Sequence, residues 1–363
     1  MKNVMFVLPR MNGGGAERVV SIVANHLARK TEYKINIVVL VSNDSFYPLD
    51  ANIDFQSANY LVNRKNKITR LYSLGRNFFN SIGYVKNQIR NQKPDIVCSV
   101  LPEADLVTYF AMWGMRNIKR VCSERNDPTQ RGGGIAWLLS RVYDKADAFI
   151  CQTKTVAQYY EGLACKKYVI PNPIDASRYP SKEKEGEVKR IVAVGRLAKQ
   201  KNIPLLIHSF VRIANEFPNV QLDIYGEGPE RIHLEMEIST LHMEKRIHLR
   251  GSQENVLSLI TDAAMFVMSS DYEGFPNALV EAIAIGLPVI STDFATGVAR
   301  EIITDHVGIV VPCGNEEKMA DAMRILLRDF DKRIKIRDNG SRAIKPYLVQ
   351  YVIQMWEEMF ASL

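Results

Sequence analysis

The chain is poor in the features that would place it quickly. No run of about 18 apolar residues occurs in its 363 residues, which argues against a transmembrane helix. The five cysteines (Cys98, Cys122, Cys151, Cys165 and Cys313) are odd in number, scattered and without a CxxC pair. That pattern argues against a disulfide framework or a zinc cluster and for reduced, buried, small apolar residues. None of the six histidines is paired with another at ligand spacing, and no G-x-G-x-x-G turn is present. A metal centre and a nicotinamide cofactor are therefore not expected. The start, Met1-Lys2-Asn3-Val4, enters a short apolar run with no small-residue cleavage site, so a signal peptide is not expected either and the reading is cytoplasmic.

One local absence is positive information. Between Val62 and Lys93 there is no acidic residue, while Arg64, Lys65, Lys67, Arg70, Arg76, Lys86, Arg90 and Lys93 are basic. Ile68, Leu71, Tyr72, Leu74, Phe78, Phe79, Ile82 and Tyr84 are interleaved with them. A basic amphipathic segment of this kind suits an anionic membrane surface. The alternative is a surface helix whose apolar side packs on the core. No nucleic-acid-binding module is recognisable, so nucleic acid is not an expected partner.

The remaining composition is globular, with 47% hydrophobic and 24% charged residues, and the length exceeds one ordinary core. Short apolar runs alternate with helical patterns along both halves, which indicates α/β architecture with doubly wound parallel sheets. The alternation restarts after the charged stretch 181–187. The expected division is a first domain over 1–175, joined by about 346–363, and a second over 188–345. Two such domains would leave a cleft between the carboxyl ends of their strands.

The stretch SSDYEGFPNALVEAIAIGLP (269–288) carries the strongest functional signal. A strand over Ala264–Met268 leads into a Gly-Phe-Pro turn and a helix starting near Asn277. Unpaired N–H groups and partial positive charge at that helix start favour an anion. Glu273 and Glu281, with seven residues between them, are suited to accept hydrogen bonds from hydroxyls. Anion donors flanked by hydroxyl acceptors fit a sugar nucleotide.

Other strand ends add to this. Gly195-Arg196 and Lys201-Asn202 follow a strand, and the two cations can neutralise a diphosphate without a metal. Gly13, Gly14 and Gly15 precede a helix at the first strand's end. Gly226 and Gly228, in YGEGPER, permit a backbone approach or form a plain turn, and Arg250-Gly251 offers a wall for a base pocket. Glu124, Arg125, Asn126 and Asp127 gather at a first-domain strand end, with Glu124 and Asp127 as acceptor-binding or proton-handling candidates, or else as a capped polar loop. Asp329-Phe330-Asp331 matches a D-x-D metal pattern but lies away from any strand end and reads as a solvated charge cluster.

Glu273-Gly274-Phe275-Pro276-Asn277-Ala278-Leu279-Val280-Glu281-Ala282, preceded by Gly195-Arg196-Leu197 and Lys201-Asn202, resembles the signature of family 4 retaining glycosyltransferases of the GT-B fold. The Gly-Gly-Ala-Glu-Arg turn and Tyr225–Pro229 match as well, so the resemblance spans nearly the whole chain. It implies two Rossmann-like domains facing across a cleft, with a C-terminal helix crossing back to the first. It also implies that Glu281 holds the ribose, that Arg196 and Lys201 bind the donor diphosphate, and that Glu273 contacts the transferred sugar. Backbone amides of Gly274, Phe275 and Asn277, around Pro276, would hold the sugar and β-phosphate, while Gly14 and Gly15 close on the donor. Many relatives carry a histidine where this chain reads Ser-Glu-Arg-Asn-Asp, with Arg125 near that position, so the resemblance does not assign the acceptor-side roles.

The activity implied is metal-independent transfer of a hexose or N-acetylhexosamine from a UDP-linked donor to a lipid-linked or polysaccharide glycan at the inner face of the cytoplasmic membrane. A sugar-nucleotide epimerase on the same fold, and a non-catalytic nucleotide-sugar-binding protein, are the rival readings.

Overall fold

The computed structural model describes residues 1–41, 44–60, 67–176, 179, 190–304 and 306–363, with backbone alone over 67–74 and at 341. The chain forms two compact units, Met1–Pro173 with Gln350–Leu363, and Ile174–Val349.

The first unit is built on β1 (Lys2–Leu8), β2 (Tyr33–Val39), β3 (Ile53–Ser57), β4 (Ile96–Val100), β5 (Lys119–Ser123), β6 (Ala148–Cys151) and β7 (Lys166–Val169). They pair in parallel in the order β3-β2-β1-β4-β5-β6-β7. The runs VMFVL in β1 and IVCSV in β4 are buried throughout, as strands covered on both faces require. β3, which sequence patterning does not single out, is an edge strand of mixed polarity (IDFQS), half-buried at every position. The C-terminal helix Val349–Ala361 packs in this unit. Trp356 and Phe360 lie 6.0 and 6.4 Å from the Phe6 ring, and Lys30 pairs with Glu357.

The second unit carries β8 (Arg190–Val194), β9 (Gln221–Tyr225), β10 (Ile247–Gly251), β11 (Met265–Met268), β12 (Val289–Asp293) and β13 (Gly308–Pro312). These are parallel in the order β10-β9-β8-β11-β12-β13. In both sheets the order reverses direction once, between β1 and β4 in one and between β8 and β11 in the other. The loops that leave two adjacent strands at such a point diverge to opposite faces and open a crevice at the carboxyl edge.

Several expectations shift. Asn255–Ala263, which the sequence pattern reads as a helix between two strands, forms only one turn, Val256–Leu259, with no side-chain cap at Asn255. Asp329-Phe330-Asp331 is a helix start rather than a loose charge cluster. The Asp329 carboxylate accepts from the Lys332 N–H at 2.8 Å and caps the helix Phe330–Ala343. That helix escapes a periodicity reading because two of its buried positions are Arg333 and Ile336 in an otherwise charged sequence.

The basic segment 62–93 lies partly outside the described residues. Its described part belongs to the helix Lys67–Gln92, where Val85 and Ile89 pack in the core with Met5 and Val7, while Arg76 and Arg90 are exposed and Phe79 is 72% exposed. Among the described residues no helix is long and apolar enough to cross a membrane.

Candidate active site

The crevice between β8 and β11 brings the second unit's candidate residues together. After β8 the chain makes a short turn over Lys199–Lys201. Asn202 then adopts the left-handed conformation (φ 41°) and caps the helix Ile203–Ala214 by accepting from the Leu205 N–H. This puts Lys201 on the crevice side, next to the loop that leaves β11. The two loops are tied repeatedly. The Asp271 N–H donates to the Gln200 carbonyl (2.9 Å), Asn202 donates to Asp271 (2.7 Å), and Ser269 donates to the Lys201 carbonyl (2.8 Å).

Glu273 sits at the centre, 6% exposed. It forms an ion pair with Lys201 and accepts from Ser270 Oγ at 2.7 Å and from Gln200 Nε2 at 3.3 Å. Gln200 also donates to the Tyr272 carbonyl at 2.8 Å, which fixes the amide. A charge-assisted cluster of this kind holds side chains in place before any ligand arrives. Arg196 behaves differently. It is exposed and makes no ion pair or side-chain hydrogen bond among the described residues.

The helix Asn277–Ala284 begins four residues after Glu273, and Phe275 is buried against Tyr347 at 5.8 Å. Glu281 lies one turn into that helix, 8% exposed, and accepts from Tyr179 Oη at 3.3 Å. The Arg196, Lys201, Glu273 and Glu281 side chains expected to act together thus belong to one unit and to the loops and helix around one crevice.

The turn after β9 meets a steric demand. A Cβ on Gly226 (φ 140°) would lie 1.9 Å from the Gly195 carbonyl oxygen, and one on Gly228 would lie 2.2 Å from that of Leu197. Glycine is required here by the neighbouring β8 loop. Gly226 also lines a cavity of about 310 Å³ with Gly195, Arg196, Tyr225, Glu227, Ser252, Gln253 and Val256. Arg250 does not line it. Its guanidinium is bonded to the fully buried Asp223 at 2.9 Å, and Asp223 also holds Arg190 at 3.0 Å. Ser252, Gln253 and Val256 line this cavity in the place expected of Arg250.

The first unit's crevice is lined differently. Gly14 caps the helix Gly15–Ala28, and its N–H donates to Glu17 at 2.9 Å. At the end of β4, on the strand beside β1, Leu101 has φ 78° and ψ 149°, a region nearly exclusive to glycine that costs on the order of 1–3 kcal/mol.

The β5 loop does not present its acids. Glu124 is fully buried and fully engaged: it accepts from the Arg125 and Asn126 N–H groups (3.0 Å each) and from Tyr160 Oη (3.0 Å), and it pairs with Arg131 at 2.5 Å. Burial opposes the Arg131 charge, but the hydrogen bond and attraction of Glu124 outweigh it and raise the Arg131 pKa. Glu124 therefore does not stand open to an acceptor.

Asp127 caps the next turn by accepting from the Thr129 N–H at 2.8 Å, but its Oδ2 is buried without a partner. Arg125 is buried. It donates to Ser123 (2.9 Å) and Asn172 (2.9 Å), and its guanidinium packs over Trp356 at 5.6 Å. Lacking a carboxylate partner among the described residues, it is lowered to about 10 by burial. Asn126 is the exposed member of the four.

Sequence reasoning missed Gln200, Ser270, Ser252, Gln253 and Tyr179. The first four lie in or beside loops already singled out, so strand-end position could have found them. Tyr179 lies ahead of β8, near the start of the second unit, and carries no pattern. Among the described residues no group of three or more His, Cys, Asp or Glu side chains could hold a metal.

With this geometry in place, comparison with known proteins is decisive. Residues 13–178 match the profile described as Glycosyltransferase Family 4, and 176–343 match that of Glycosyl transferases group 1. The chain is a GT-B glycosyltransferase.

It is 25% identical, over 100% of its own length and 99% of the relative's, to a Campylobacter jejuni enzyme. That protein is named GalNAc-alpha-(1->4)-GalNAc-alpha-(1->3)-diNAcBac-PP-undecaprenol alpha-1,4-N-acetyl-D-galactosaminyltransferase. A second C. jejuni protein, an N-acetylgalactosamine-N,N'-diacetylbacillosaminyl-diphospho-undecaprenol 4-alpha-N-acetylgalactosaminyltransferase, is 26% identical over 94% of both chains. Among solved structures, Anabaena HepE in complex with UDP has the same fold, with a TM-score of 0.80 at 17% identity and 100% of each chain covered. In this GT-B glycosyltransferase the paired charges lie at the second unit's switch point and the glycine turn at the first unit's.

Proposed function

We propose that this glycosyltransferase moves a hexose or N-acetylhexosamine from a UDP-sugar to a lipid-linked or polysaccharide glycan, with retention of configuration and without a metal, at the cytoplasmic face of a membrane. The observation that carries the reading is the Lys201–Glu273 cluster beside the exposed Arg196 and the start of the helix Asn277–Ala284. In this reading the cavity of about 310 Å³ beside Arg196 takes the base, and Glu281 takes the ribose hydroxyls.

Arg196 and Lys201 neutralise the diphosphate, which is released as the bond from the sugar's anomeric carbon to the phosphate oxygen breaks. The acceptor oxygen bonds to the same carbon from the same face, and its proton passes to the departing phosphate oxygen. Cationic stabilisation of that leaving group is then the largest catalytic contribution. Glu273 holds Lys201 in place and offers an oxygen to the sugar.

On the acceptor side, Arg125 supplies a buried positive charge and Asp127 an oxygen that has no partner among the described residues, both at the β5 end. Membrane attachment rests on the basic segment 62–93, in which Arg76, Arg90 and the exposed Phe79 belong to one helix. The lipid-linked acceptor draws support from the relatives' names.

The test is a panel of UDP-linked hexoses and N-acetylhexosamines incubated with a polyprenyl-diphosphate glycan, with the new anomeric proton read by NMR. A product with the donor's anomeric configuration is expected. An inverted linkage would reject retention, and absence of UDP release across the panel would reject the donor class.

A further inference from the structure

A second polar and aromatic concavity lies in the first unit, away from the β1/β4 crevice. The helices Gly133–Tyr143 and Lys154–Tyr159 flank a pocket of about 440 Å³, lined in part by Arg131, Trp137, Ser140, Asp144, Tyr159 and Tyr160. This falls within the roughly 300–1,000 Å³ range of small-molecule sites.

Two of its aromatic rings are unusually open, Trp137 at 62% exposure and Tyr159 at 51%. Both are held in place. Arg141 packs over the Trp137 ring at 5.5 Å, and Tyr159 stands edge-on to Tyr160 at 5.0 Å, which in turn packs on Phe149 at 4.9 Å. Rigid exposed aromatics next to convergent polar groups suit a ligand with one apolar face and a rim of hydroxyls.

Charge narrows the class. Arg131 is the cation of the pocket's polar end, and Glu124 already neutralises it at 2.5 Å, while Asp144 adds a carboxylate. Among the lining residues a phosphate or diphosphate would find no uncompensated positive charge, and Arg141, outside the lining, is engaged on the Trp137 ring. A neutral pyranose would stack its C–H face on a ring and bond its hydroxyls to the polar rim. The pocket is also wired to the β5 loop: Arg131 and Tyr160 both bond Glu124, whose acceptor oxygens fix the backbone at Arg125 and Asn126.

We infer that this pocket is a binding subsite for a neutral sugar residue of the acceptor glycan, one or more units from the reacting hydroxyl. The inference rests on the transferase reading for the word acceptor, but not for the binding of sugar.

The test titrates the full-length protein with free α-linked di- and trisaccharides of galactose, glucose and N-acetylgalactosamine. Saturation-transfer NMR reports the contacts, and UDP is titrated separately. Binding of at least one saccharide is expected, with an affinity lowered about tenfold by Trp137→Ala or Tyr159→Ala and largely restored by Trp137→Phe. UDP affinity is expected to stay unchanged in all three variants.

Equal saccharide binding by wild type and the alanine variants overturns the subsite. So does a panel in which no saccharide binds while UDP does. So does an effect of Trp137→Ala on binding to phosphatidylglycerol vesicles alone, with saccharide binding intact. Failure of UDP to bind, with saccharides still bound, would count against the donor reading and leave the subsite standing.

Discussion

The two sheets share a strand order and use it differently. At the second unit's switch point, the acid at the centre of the crevice is paired with a lysine and two amide or hydroxyl donors, of which Lys201 and Gln200 keep part of their surface exposed. At the first unit's carboxyl edge, the comparable acid, Glu124, is sealed in and satisfied by two backbone N–H groups, Arg131 and Tyr160. The lesson is that a carboxylate at a strand end is not yet a functional group. Glu273 and Glu124 look alike in sequence. What separates them is whether their partners leave a face open, and only burial and hydrogen bonding decide that.

The most damaging way to probe this contrast is Glu124→Gln. It leaves Arg131 charged and largely buried without its counter-ion, which typically costs about 3–5 kcal/mol. Urea unfolding should show that loss, while the protein that remains folded should transfer sugar at close to the normal rate once acceptor is saturating, with any effect of the shifted β5 loop appearing in the acceptor KM. A stable Glu124→Gln protein with no activity would break the comparison, because Glu124 would then be acting on substrate.

Lys201→Ala probes the other side. Removing a preorganised group that stabilises developing charge costs roughly 10²–10³ in rate. Sugar transfer should fall by about that factor, with a smaller loss of stability than in Glu124→Gln, because Lys201 and Glu273 are less completely buried than Arg131 and Glu124. A rate within a fewfold of wild type would mean that the Lys201–Glu273 pair is structural, like Glu124–Arg131.

A subtler probe moves the loop without touching its charges. In Gly226→Ala the new methyl group would collide with the Gly195 carbonyl, and the relief of that clash displaces the backbone that carries Arg196. A misplacement near 1 Å costs on the order of 10²-fold. The loss should appear in UDP affinity as well as in turnover, which distinguishes it from Lys201→Ala if the lysine acts mainly on the leaving group.

Much of the fold and of the site is legible in the amino-acid sequence. The apolar runs of β1, β4, β8 and β11 are strong enough to set two parallel sheets, and strand-end position then marks the loops that matter. Arg196, Lys201, Glu273 and Glu281 fall on loops and a helix that one switch point collects, so topology alone brings them together.

What escapes the sequence does so for specific physical reasons. β3 is an edge strand with no apolar alternation. The helix Phe330–Ala343 buries an arginine where a periodicity scan looks for an aliphatic residue. Leu101 occupies a glycine-like conformation that nothing in its neighbours' identity announces. Arg250 reads as a ligand wall because its partner, Asp223, lies 27 residues away on the adjacent strand.

The mildest prediction concerns an acid that neither crevice uses. Asp105 is fully buried below the β4 end, accepting from Ser99 at 2.6 Å and from Tyr143 at 3.3 Å. Burial raises its pKa well above the ordinary 3.8, against the lowering effect of the Ser99 bond. The folded state therefore keeps this proton to higher pH than the unfolded chain does. The resulting stability is fully present below about pH 3.8 and is lost as pH rises through the folded-state pKa.

Asn mimics the protonated acid, with Nδ2 able to donate to Tyr143 and Oδ1 able to accept from Ser99. Asp105→Asn should thus unfold at the same urea concentration or slightly higher at pH 7, and its stability should fall less than that of the wild type between pH 4 and 7. A steeper fall in the variant would mean that Asp105 is ionised in the fold. The first unit would then hold a buried charged acid without a cationic partner among the described residues, and the contrast with the lysine-paired Glu273 would have to be redrawn.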